Sequence, residues 1–85
     1  LVIFPSPAEP DSPADRIRRL NSEARSLARE HIEQLAAALG EVSRLSGEIA
    51  DGGDFYPVGA RELSRRLVDE AGKQALTLTA IVDRH

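Results

Sequence analysis

From Ile17 onward, apolar side chains return every third or fourth position: Ile17, Leu20, Ala24, Leu27, Ala28, Ile32, Leu35, Leu39, Val42, Leu45 and Ile49. At ~100° of rotation per residue these positions form one continuous stripe, the pattern of an amphipathic helix. The step from Leu27 to Ala28 offsets the repeat and predicts a local change of supercoil. No proline interrupts the run from Pro13 to Asp51. The first helix is therefore expected over about 13–51, ~57 Å long at ~1.5 Å per residue. A second stripe, Ala60, Leu63, Leu67, Ala71, Ala75, Leu78, Ile81 and Val82, predicts a second helix over about 58–83. The chain reads as all-α, a long antiparallel helical hairpin.

The ends of both helices carry their own signals. Ser12 fits the N-cap of the first helix, Pro13 its first position, and Asp15 the acidic N3 of a capping box. Gly52-Gly53 stops it, because glycine readily takes the left-handed conformation that closes a helix. Asp51 to Pro57 forms the turn, with Asp54 offered as a cap for the second helix and Phe55-Tyr56 as an apolar plug over the hairpin end. Ahead of the first helix, residues 1–12 hold Pro5, Pro7 and Pro10 and begin Leu1-Val2-Ile3-Phe4. This segment is expected to be extended or disordered, its apolar start docking on a groove. The chain opens without Met, as a processed product or a fragment would.

The first helix carries a second face, turned about 100° from the first by helical rotation. It consists of Ala36, Gly40, Ser43, Gly47 and Ala50, all small. A glycine inside a helix costs ~1 kcal/mol relative to alanine, so Gly40 and Gly47 on one face point to close packing. The second helix offers Ala60, Ser64, Ala71, Ala75 and Thr79 as a matching small surface. A helix with two packing faces needs two neighbours. Folding back about residue 54 exhausts the second helix near residue 24 of the first, leaving Ile17 and Leu20 projecting. A homodimer is therefore expected, forming a four-helix bundle through Ile17, Leu20, Leu27, His31, Ile32, Leu35, Leu39 and Val42, with Ala36, Gly40, Ser43 and Gly47 as the positions of closest helix approach.

Composition strengthens this expectation. A chain of 85 residues makes one domain, and at that size one core supplies only ~3–5 kcal/mol of net stability. It has no cysteine, so neither disulfides nor thiolate metal sites can supplement that core. A partner chain is the remaining remedy. The net charge of -3 gives no overall pull toward nucleic acid or anionic membrane, and aromatic residues at 4% are too few for stacking platforms. No apolar run is long enough for a membrane span, and the cytoplasm is the expected location. Lys73 is the only lysine beside ten arginines, a bias suggesting a GC-rich, bacterial genome.

The chemical candidates are few. A Glu-x-x-His carboxylate metal site fails because the residue three before His31 is Ala28. Gly52-Gly53 follows a helix instead of opening one, so it makes no phosphate loop. The serines have no base within an evident pattern, and no cofactor is expected. Arg16, Arg18, Arg19, Arg25 and Arg29 make the first half of helix 1 basic, but acids interleave, so a nucleic-acid role is a lesser alternative. His31 is the sharper one. A dimeric hairpin with a histidine on its first helix resembles the phosphoacceptor domains of sensor kinases, and that likeness implies phosphotransfer through His31. Those domains place an acidic residue directly after the histidine and a proline a few positions on, whereas this chain reads His31-Ile32-Glu33-Gln34-Leu35. The residues favour a non-enzymatic oligomerisation or adaptor protein, with His31 as a core or interface histidine holding a hydrogen-bond partner.

Overall fold

The computed structural model describes residues 12–84. Two helices, α1 (Pro13–Ala50) and α2 (Val58–Asp83), pack against each other as an antiparallel hairpin, with no strand among the described residues. The expected helix bounds differ from these by one residue at the end of α1. The tail over residues 1–11 and its expected docking lie outside the described residues, as does His85.

The N-terminus of α1 is capped as the local sequence dictates. The Ser12 side chain accepts a hydrogen bond from the Asp15 amide at 3.2 Å, which satisfies one of the amides left without an intrahelical acceptor. Arg18 pairs with the Asp15 carboxylate, and together with the Ser12 hydroxyl it holds that carboxyl below its ordinary pKa. Arg44 does the same for Glu41 while also bonding Glu48 at 3.0 Å. A carboxyl whose pKa is depressed in the folded state contributes stability above its unfolded value and loses it as pH falls through the folded one. These surface pairs therefore fade on acidification.

The turn departs from expectation in two places. Gly53 takes the left-handed conformation, φ +73°, and opens a short 3-10 turn over Gly53–Phe55. The N-cap of α2 is Pro57, with no side-chain cap. Asp54 instead stands 3.8 Å from Arg61, whose guanidinium also donates to the Tyr56 carbonyl at 3.1 Å. Phe55 does not plug the hairpin: it is 97% exposed. Tyr56 lies over Gly52 so closely that a Cβ there would run into its ring. Gly52 is thus a close-approach glycine and Gly53 a conformational one.

Between the helices the small residues meet. Ser46 and Ala50 of α1 are buried, as are Ser64, Ala71 and Val82 of α2. Gly47 leaves room for the Val68 side chain, and Ser43 hydroxyl donates to the Val68 carbonyl at 2.9 Å. A side chain this short reaches a backbone carbonyl of the facing helix only when the two backbones come close, which small residues permit. At the open end Arg29 donates to the Val82 carbonyl at 3.0 Å and lies 4.0 Å from Asp83. The second helix therefore runs out beside residue 29, somewhat earlier than the expected residue 24, because the 3-10 turn and the extended Tyr56-Pro57 use more chain than a tight reversal. About fifteen residues of α1 beyond that point, 13–27, have no neighbour among the described residues, a length of ~22 Å.

The glycines give a direct test of this packing. Gly40 is exposed and a Cβ there would meet nothing within 4 Å, so no helix approaches it in the hairpin. Gly40→Ala is expected to stabilise the fold by ~0.5–1 kcal/mol through helix propensity alone. Gly53→Ala is expected to destabilise it by ~1–2 kcal/mol, because a side chain is strained in that left-handed backbone. Urea unfolding of the two variants measures both, and equal midpoints would contradict the assignment.

Candidate functional site: the open apolar face

α2 covers most of the small face of α1, and among the described residues much of the large-apolar face is left exposed. Ile17, Leu20, Leu27, Ile32, Leu35 and Val42 are all exposed, Leu39 is half-buried, and Leu45 beside them is exposed as well. Rotation along each helix brings Leu63 and Ile81 of α2 to the same side of the hairpin as this stripe. At the open end a hollow is lined by Arg25, Ala28, Arg29 and Ile32 of α1 with Ile81 and Val82 of α2. One continuous apolar face results, built from both helices and extended by the α1 overhang.

Its size decides how it should be read. Nine large aliphatic side chains (Ile17, Leu20, Leu27, Ile32, Leu35, Val42, Leu45, Leu63 and Ile81) are between 37% and 65% exposed. Together they offer on the order of 800 Å² per copy, the area one partner contributes to a standard-size protein interface. Scattered exposed aliphatics are ordinary on a protein surface, whereas these nine lie along one side of the hairpin.

The positions named from sequence for close packing fall into two groups. Ala36, Ser43 and Gly47 are partly buried on the side facing α2, and Gly40 is not. His31 stands exposed in a shallow hollow with Ile32, Gln34 and Leu35. It makes no hydrogen bond or ion pair among the described residues, so the expected partner is not supplied within the hairpin. Arg29, read from sequence as part of a basic side, is drawn instead into the end of α2 and lies 3.6 Å from Glu33. That role was hidden because it depends on where α2 stops.

Among the described residues, no group of three or more His, Asp or Glu side chains is placed to hold a metal ion. No described helix is long and apolar enough to cross a membrane. Compared with protein families, curated proteins and solved structures, the chain matches none of them.

Proposed function

We propose that the protein is a self-associating helical module, acting as an oligomerisation or adaptor element through helix–helix contact and not through catalysis. The observation that carries this reading is the open apolar face of nine aliphatic side chains. The hairpin buries few apolar side chains of its own: Ala50, Ala71 and Val82 among the described residues. A second chain over the open face would supply the burial that the first cannot. The expected product is a homodimer in the cytoplasm. Light scattering at tens of micromolar should give about twice the chain mass of 9.2 kDa; a mass of one chain overturns the proposal.

A second reading, phosphotransfer through His31, is favoured by one observation, the exposure of its imidazole. Association through the open face would cover that ring, so the two readings make opposed demands. Incubation with an active histidine kinase should label the native chain and not His31→Ala if this reading holds. Acid-labile phosphate absent from both removes it.

A further inference from the structure

The open face has a direction, and its charges run with it. Along the overhang, residues 13–27 carry Arg16, Arg18, Arg19 and Arg25 against Asp15 and Glu23, a net charge of +2. Around the hairpin tip, including the start of α2, residues 40–67 carry Glu41, Glu48, Asp51, Asp54 and Glu62 against Arg44, Arg61, Arg65 and Arg66, a net charge of -1. The two ends of one copy are therefore of opposite sign. The lengths also correspond: the overhang of 13–27 and the tip segment 36–50 are equal stretches of α1 on either side of His31-Ile32.

We propose that the occupant of the open face is a second copy of this chain in antiparallel orientation, each overhang lying along the tip half of its partner. The proposal rests on the self-association argued above and adds its geometry. Two α1 helices paired about His31-Ile32 overlap over their whole length. Each overhang then meets two helices of its partner at once, seating Ile17, Leu20, Ala24 and Leu27 on the side formed by Val42, Leu45 and Leu63. The contact is isologous, so the same exchange occurs at both ends and the assembly closes at two copies. A parallel pair would instead set +2 beside +2 and would leave each overhang with a single helix for company. Complementary charge of this kind selects orientation more than it adds affinity.

The absence of native cysteine makes the orientation measurable, since an introduced thiol is the only one in the chain. Ala14 and Asp51 are both exposed, so spin labels on Ala14→Cys and, separately, Asp51→Cys leave the apolar face untouched. In the antiparallel dimer the two Ala14→Cys labels should lie ~50 Å apart and the two Asp51→Cys labels ~60 Å apart, from the helix rise. In a parallel dimer the Ala14→Cys pair falls to ~10–20 Å, the separation of neighbouring helices plus the label arms. Two long distances support the proposal. A short distance at Ala14 or at Asp51 overturns the orientation while leaving self-association intact. No dipolar coupling in either variant, with one-chain masses, retires the self-association reading and this inference with it.

Discussion

Leu35→Glu should leave the chain unable to associate, lowering its mass in solution from that of a dimer to the 9.2 kDa of one chain. Leu35 is 53% exposed in the hairpin, so a carboxylate there remains solvated while the chain is alone. Within an association interface the same carboxylate would be stripped of its water. Such a burial costs several kcal/mol, and ~3 kcal/mol already weakens a complex more than 100-fold. The control is Leu76→Glu. Leu76 is more exposed still, at 74%, but helical rotation sets it on the far side of α2. It should change the mass not at all. If both variants behave alike, the open face is not the interface; if Leu35→Glu stays dimeric, Leu35 lies outside it.

The opposite face should respond to bulk instead of charge. Ala71 is 5% exposed and lies where α2 meets the small residues of α1. Ala71→Leu pushes extra methylene groups into that contact, an overpacking that typically costs ~1–3 kcal/mol. For a domain of this size each kcal/mol lowers the melting temperature by ~4–8 °C. Gly47→Ala is the matched contrast. Its new Cβ would stand 3.8 Å from the Val68 side chain, an ordinary contact, and the helix gains propensity. Thermal unfolding at one fixed concentration should therefore move in opposite directions for the two variants. An unchanged or higher melting temperature for Ala71→Leu would place α2 elsewhere on α1.

These two faces also mark the limit of what the amino-acid pattern discloses. The helix ends were legible because Ser12, Pro13, Gly52-Gly53 and Pro57 act locally, through caps and backbone conformations that need no tertiary partner. The two stripes on α1 were legible for the same reason, since rotation along a helix is fixed. The matching small surface of α2 pointed to the small stripe, but how far along it α2 would reach was not legible. Periodicity shows that a face will be buried, but the extent depends on turn geometry and on how near two backbones can come. Here Ser43, Gly47 and Ala50 admit α2 closely, and the larger side chains are left over. Gly40 illustrates the same limit: its position in the small stripe suggested a neighbour, yet none lies within 4 Å. Phe55 was expected to cover the hairpin end because it is apolar, and the 3-10 turn points it outward.

Among the described residues, no side chain of the hairpin is fully buried. A fold without such a side chain has little to keep its amides from exchanging with water or its backbone from a protease, because local opening exposes almost nothing new. Protection must then come by mass action, from whatever binds the folded form. If that partner is the second copy proposed above, the folded fraction rises with the concentration of the chain itself, and abundance becomes a folding variable.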